Sequence, residues 1–298
     1  MQKQTKLNQK DFSKLKKGDI FMKKLRKTLA TAFFVLGLAI VSAVTASAFD
    51  VEVSVNGKSF CSGETKLTDS TTTVPFRAFI DEMTDGDAEI SWDDGKKTAR
   101  AAYKGVTVSA TLGESYITAN GRCLPCGTAN RIENGKLLVA VRPLSAVFNA
   151  DVEWISESKS VRIGAPNGLL ESADDFYDAD ELYWLSRIIS AEARGEPFEG
   201  KIAVGTVIYN RIESELYPDT VYDVIFDMEH GVQFTPAATG SVYNDPTDES
   251  VTAAKLCMEG KRYRSDALFF CTVAIKDTSW AGRNRRYIET IGNHAFFA

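Results

Sequence analysis

Histidine is nearly missing from this 298-residue chain: only His230 and His294 occur. A zinc hydrolase needs about three ligands around an open metal position, and no histidine pair stands at ligand spacing, so no metal or other cofactor is expected. Cysteine is sparse and odd in number, at five, and Cys123-x-x-Cys126 has no second such pair to complete a four-ligand zinc site. A disulfide from Cys61 to either member of that pair, a redox motif and unpaired thiols all stay open. The longest apolar run, Leu29 to Val44, is about 16 residues, short of the roughly 20 that cross a bilayer. Positive charge is missing too once the first 48 residues are set aside. They hold ten of the 35 Lys/Arg and two of the 40 Asp/Glu, so the remainder carries 25 basic against 38 acidic residues, a net of −13. Nucleic acid, which demands clustered positive charge, is not an expected partner. Anionic polymers are repelled at long range, so attachment to them must rest on local contacts.

What is present begins with a tripartite leader. Lys23, Lys24, Arg26 and Lys27 precede the apolar run, and Ala46-Ser47-Ala48 follows it. That order reads as a secretory signal over residues 1–48, cleaved after Ala48, with Met22 as the alternative start. No stable membrane span is expected after cleavage, and the chain is expected to be exported.

Residues 49–165 read as short strands between turns: Val51 to Val55 alternates and Asn56-Gly57 is a hairpin signal. An internal repeat is visible. Val74-Pro75-Phe76-Arg77 leads to Trp92, Lys97 and Arg100, while Val141-Arg142-Pro143-Leu144 leads to Trp154, Lys159 and Arg162. Tryptophan, lysine and arginine recur at identical offsets, so two copies of one supersecondary unit are expected to pack together, with both tryptophans filling the core. Turn formers from Gly164 to Gly168 and polar residues to Tyr177 then read as a linker over 166–177.

From Asp178 the period changes to helical. Asp178 and Glu181 stand at capping-box spacing, and Leu182, Leu185 and Ile189 share one stripe. At 100° per residue Glu192 falls within about 60° of Leu185 and Ile189, so its carboxylate projects from the core-facing side near the helix end. An apolar setting disfavours the charged form and makes such a group a proton donor near neutral pH. The competing reading pairs Glu192 with Arg194 at the surface. Gly195 and Pro197 stop this helix, and Lys201 to Ile212 reads as a buried one. The fold class is therefore α+β: a β-rich first half and a mainly helical second half over 178–298.

Two resemblances add to this reading. Residues 51–164, with their Val-Pro-hydrophobic-Arg turn and later tryptophan, resemble the N-terminal domain of copper amine oxidases, which implies a stalk-like or wall-attachment module. Ser190-Ala191-Glu192-Ala193-Arg194-Gly195-Glu196, then Gly200 to Val204, Asn210-Arg211, Gln233-Phe234 and Gly292-Asn293-His294-Ala295-Phe296-Phe297 resemble the cell-wall hydrolase domain of spore-cortex-lytic enzymes, the SleB type. The second resemblance implies a lysozyme-like fold that acts as a lytic transglycosylase on peptidoglycan, with one essential glutamate, here Glu192, in the cell wall or spore envelope. The peptidoglycan-binding repeat usual before that domain has the stalk-like module in its place. Glu196, Gln233, Phe234, Tyr243, Phe270 and Trp280 are the further candidates for substrate binding, being polar or aromatic residues of the kind that line sugar sites. Glu196 also reads as a support, and Asn293 and His294 as residues orienting the last strand. The alternatives are an amidase, a cysteine peptidase using Cys257 or Cys271, and a non-catalytic wall-binding protein. Protein partners are not indicated.

Overall fold

The computed structural model describes residues 49–298 apart from His230, Arg264 and Ser265. The expected leader and the alternative start at Met22 lie outside these residues. The first half is built from three sheets. One has the order Phe49–Asp50, Lys66–Thr68, Thr71–Pro75, Lys136–Ala140, Arg131–Glu133. The second is a meander running from Glu89–Asp93 through Thr98–Tyr103, Val106–Thr111 and Tyr116–Ala119 to Arg122–Pro125. In the third, Ser160–Ile163 lies parallel to Glu52–Val55, so the two ends of the domain zip together. Asn56-Gly57 and Asn134-Gly135 both take left-handed backbone, with φ of 50° and 74° and of 49° and 75°. That is the type I′ geometry whose twist matches the flanking strands.

Helix α1 (Phe76–Met83) follows Val74-Pro75, whereas α2 (Val141–Ala146) takes Val141-Arg142-Pro143 as its first turn. The core is filled by phenylalanines: Phe79 lies 6.1 Å from Phe60 and 6.5 Å from Phe148, ring to ring. The tryptophans are not part of it. Trp92 is 41% and Trp154 38% exposed, which corrects the expectation that they fill the core. The helices occupy that volume, and the hairpins carry the indoles on their outer faces. Arg77 donates to the Ile90 carbonyl (3.3 Å) and Arg142 to the Val152 carbonyl (3.4 Å), in each case two residues before the tryptophan.

Residues 166–177 are packed along the body rather than hanging free. Leu170 is buried in the β-core, Ser172 caps α3 (Ala173–Phe176), and Tyr177 is buried with its hydroxyl donating to Glu259 Oε1 at 2.9 Å. The helical half follows with α4 (Ala179–Ala193), α5 (Phe198–Ile212), α6 (Val221–Phe226), α7 (Thr235–Thr239), α8 (Asp248–Met258) and α9 (Trp280–Asn284). A three-stranded antiparallel sheet, Phe269–Thr272, His294–Phe297 and Tyr287–Ile291, closes it. The crossing of α4, α5 and α8 depends on Gly205, where a Cβ would come within 2.7 Å of Cys257 Sγ and 3.0 Å of Ile189 Cδ1.

The halves meet over a polar and apolar seam. Arg122 grips Glu259 with two parallel bonds, Nε to Oε1 at 2.7 Å and Nη2 to Oε2 at 2.8 Å, with only 10% and 7% of the two side chains exposed. Lys255 donates to the Gly121 carbonyl, and the Tyr116 ring lies 6.0 Å from Phe198. Cys123 packs into the helical core while Cys126, three residues on, packs into the β-core. All five cysteines are free thiols. No helix among the described residues is long and apolar enough to cross a membrane.

Candidate active site

Asp178 caps α4 by accepting from the Glu181 amide at 2.8 Å, and Leu185, Ile188 and Ile189 below it are fully buried. Glu192 therefore arrives in the last turn, on the inward side of the helix. It has no ion-pair or hydrogen-bond partner among the described residues; Arg194, its competing partner, donates instead to the Asp245 carbonyl. Burial pushes the Glu192 carboxyl up to about 7. The negative end of the α4 dipole acts in the same direction, because exposed carbonyls oppose an anion there. A carboxyl half-protonated near neutral pH is suited to give a proton and take one back.

Glu192 lies in a cleft of about 840 Å³. The cleft is also lined by Phe269 to Thr272, by Trp280 and Arg285 of the α9 segment, and by His294 of the neighbouring strand. The Asn210-Arg211 pair at the end of α5 fixes that wall: Asn210 donates to the Ala267 carbonyl (2.7 Å) and Arg211 Nε to the Leu268 carbonyl (3.0 Å). Arg211 also reaches Gln233 Oε1 at 3.4 Å and faces the rings of Tyr217 and Phe234 at 5.0 and 5.1 Å. Burial lowers its pKa, with Tyr217 and Asp227 opposing the shift. His294 is buried with Nδ1 unpartnered among the described residues, and burial holds its pKa below the ordinary histidine value, so the neutral ring is favoured at pH 7.

Of the residues singled out by sequence, Gln233, Phe270 and Trp280 line the cleft with Glu192. Three others do not. Phe234 is a core residue, 2% exposed, held behind Phe270 at 6.3 Å. Tyr243 stands outside in a surface cluster with Trp184 and Phe226. Glu196 turns away: its Oε2 accepts from the Asn293 amide at 2.8 Å and pins the last hairpin, while Lys201 Nζ, only 2% exposed, donates to the Glu196 carbonyl at 2.6 Å. His294 does more than orient its strand, since it forms part of the cleft. Sequence reasoning missed Asp227, Phe269 and Arg285, and assigned no site role to Arg211, although an arginine in the last turn of a buried helix is a signal that a polar surface lies there. No grouping of three or more His, Cys, Asp or Glu able to hold a metal occurs among the described residues.

Residues 195–297 match the cell wall hydrolase family and residues 54–163 the copper amine oxidase N-terminal domain. Over 120 residues the chain is 34% identical to the spore cortex-lytic enzyme of Oceanobacillus iheyensis, covering 40% of this chain and 42% of that protein. It is 32% identical to the spore cortex-lytic enzyme of Bacillus subtilis, covering 40% and 38%. It thus spans about two-fifths of the length of these curated relatives. Among solved structures, the catalytic domain of the germination-specific lytic transglycosylase SleB from Bacillus anthracis is 31% identical and covers 41% of this chain and 97% of that one, with a TM-score of 0.37.

Proposed function

We propose, from the premise that residues 195–297 are a cell wall hydrolase domain and residues 54–163 a copper amine oxidase N-terminal-like domain, that this chain cuts the glycan strands of peptidoglycan with Glu192 as its acid. One observation carries the reading: a carboxyl group stands in a large cleft without a charged partner among the described residues, and its pKa is pushed up to about 7 by burial.

The reaction is lytic transglycosylation. Protonated Glu192 gives its proton to the glycosidic oxygen as the bond to C1 of N-acetylmuramic acid breaks. The resulting carboxylate then takes the proton of the C6 hydroxyl as O6 closes on C1. No water is consumed, and the fragment ends in 1,6-anhydro-muramic acid, about 18 mass units lighter than a hydrolysed end. The leader over residues 1–48 carries the chain to the wall, the β-half is a repeated unit serving as its stalk, and the boundaries are 49–165, 166–177 and 178–298.

Asp227 in the same cleft supports a second reading, in which a second carboxylate activates water. Digestion of purified strands in H₂¹⁸O decides between them. Transglycosylation leaves no ¹⁸O at the new ends; ¹⁸O at reducing ends establishes hydrolysis and turns attention to Asp227. No cutting by the wild-type chain, or full cutting by Glu192→Gln, overturns the assignment.

A further inference from the structure

The charged groups of the cleft are Glu192, Asp227, Arg211 and Arg285. With Glu192 protonated, the two guanidiniums outnumber the one remaining carboxylate. This local excess of positive charge stands in a chain whose residues 49–298 carry a net of −13. Neither arginine has a carboxylate within ion-pair distance among the described residues. Arg211 is 4% exposed and, among the described residues, its side chain bonds only neutral oxygens, while Asp227 Oδ1 is taken by the Glu229 amide at 2.8 Å. The Arg285 side chain makes no hydrogen bond among the described residues; the backbone amide donates to the Ala281 carbonyl at 2.8 Å. Its Cζ lies 4.8 Å from the Trp280 ring and 4.9 Å from that of Phe269, while Arg211 Cζ lies 5.6 Å from Phe269. Both cations therefore border the same aromatic wall.

The segment presenting Arg285 is stiff and basic. Ser279 Oγ accepts from the Gly282 amide and donates to the Lys276 carbonyl, at 2.9 and 3.1 Å. A Cβ at Gly282 would fall 1.6 Å from that same carbonyl oxygen, so only glycine permits this fold. Lys276, Arg283, Arg285 and Arg286 stand there against Asp277 alone; of these, Arg286 pairs with Asp266 at 2.6 Å. A guanidinium stacked on aromatic rings keeps its in-plane donors free, and that fork matches a carboxylate.

We propose that Arg285, backed by Arg211, recognises an ionised carboxylate carried by the muramyl residues of the strand. The substrate class is then an anionic glycan strand, not one neutralised at those positions. This rests on the glycan-cleaving reading and narrows it. The carboxylate has two sources, the stem peptide or a lactyl group freed of its peptide.

The test uses the chain from residue 49 and three soluble strand preparations: peptide-bearing, peptide-stripped, and peptide-bearing with its carboxyls amidated. Anionic strands are expected to be cut with kcat/KM about tenfold above amidated ones, the difference lying in KM and shrinking with salt. Arg285→Gln should bring that ratio close to one, and Arg285→Lys should retain part of it. The preferred anionic preparation identifies the source. Equal use of anionic and amidated strands overturns the proposal, as does an equal loss on both in Arg285→Gln. If the wild type cuts none of them, the glycan-cleaving reading fails; equilibrium binding of the same three preparations to Glu192→Gln still decides carboxylate recognition.

Discussion

Each half of the molecule contains a large concavity, and the two differ in chemistry far more than in size. The groove of the β-half, about 550 Å³, runs beside Trp154 and is floored by Leu67, Val141 and Val161. Its ionisable groups are Arg142 and Cys126, and burial pushes that thiol up to about 12, so it stays protonated. The cleft of the helical half, about 840 Å³, brings together two carboxyls, two guanidiniums and a neutral imidazole. The difference follows from construction. The groove lies against paired strands, whose backbone groups satisfy one another. The cleft lies where α4 and α5 end, and their last turns carry Glu192 and Arg211. A cation suits a helix C-terminus and an anion does not, so Arg211 is at ease there while Glu192 is held ready to keep or return a proton.

The largest expected effect breaks this comparison at its centre. Glu192→Gln keeps the shape of the side chain and removes the proton, and general acid catalysis contributes typically about 10²–10⁴-fold. Cutting should fall by that range with the far-UV spectrum unchanged, while Trp154→Ala in the groove should leave soluble strands cut at close to the normal rate. The pH profile should agree in sign. The acid form of Glu192 is lost as pH rises through about 7, so cutting should decline above neutrality. A profile flat from pH 6 to about 9 would remove Glu192 from the acid role.

A second experiment separates the halves instead of their chemistries. Breaking a buried ion pair by removing one partner costs about 3–5 kcal/mol, because the other charge is left uncompensated. Glu259→Gln removes the charge opposite Arg122 and one of its two acceptor oxygens, leaving the single amide oxygen to Tyr177 and one guanidinium N–H. Thermal unfolding of the chain from residue 49 should therefore drop sharply. A chain shortened to begin at Glu171 loses Arg122 as well, and it should fold and cut soluble strands with a smaller loss. If the shortened chain is unfolded, residues 178–298 are not an independent domain.

The elements that were legible in the sequence are those set by local rules. Asn56-Gly57 announces its turn, Asp178 its cap, and the apolar stripe of α4 the inward face of Glu192. What escaped depends on neighbours remote in sequence. Trp92 and Trp154 looked like core residues because nothing local says that Phe76, Phe79 and Phe148 fill that space first. Residues 166–177 looked like a linker because Leu170 and Tyr177 are isolated apolar positions in a polar stretch; their partners, Val147 and Glu259, come from opposite halves. Asp227, Arg285 and His294 join the cleft through loops and one strand, where no period marks an inward face. Phe234 and Gln233 were singled out together, yet neighbouring residues point oppositely: one enters the core and the other the cleft.

The energetic cost of keeping Glu192 ready can be measured as stability. Its pKa is raised in the folded state, so the folded chain binds the proton more tightly than the unfolded one. Stability is then lost as pH rises from about 4.5 to about 7. Allowing for partial solvent contact, the penalty at pH 8 is about 2 kcal/mol. Glu192→Gln carries no such penalty, so it should melt above the wild type at pH 8 and level with it at pH 4. A variant less stable at both values would show that the carboxyl is held by favourable contacts.

The smallest effect concerns Glu196, four residues along and outside the cleft. Its carboxylate accepts from the Asn293 amide, and Gly292 beside it has no room for a side chain, since a Cβ would lie 2.0 Å from Glu196 Oε2. The contact sets the height of the turn that leads into His294. In Glu196→Gln the amide oxygen still accepts that hydrogen bond, and only the charge-assisted part is lost, about 1 kcal/mol. Cutting should stay within about threefold of normal, because a well-packed strand shifts little when one anchoring bond weakens. A loss approaching that of Glu192→Gln, without a matching fall in melting temperature, would make Glu196 a chemical partner of Glu192 and place two carboxylates in the reaction.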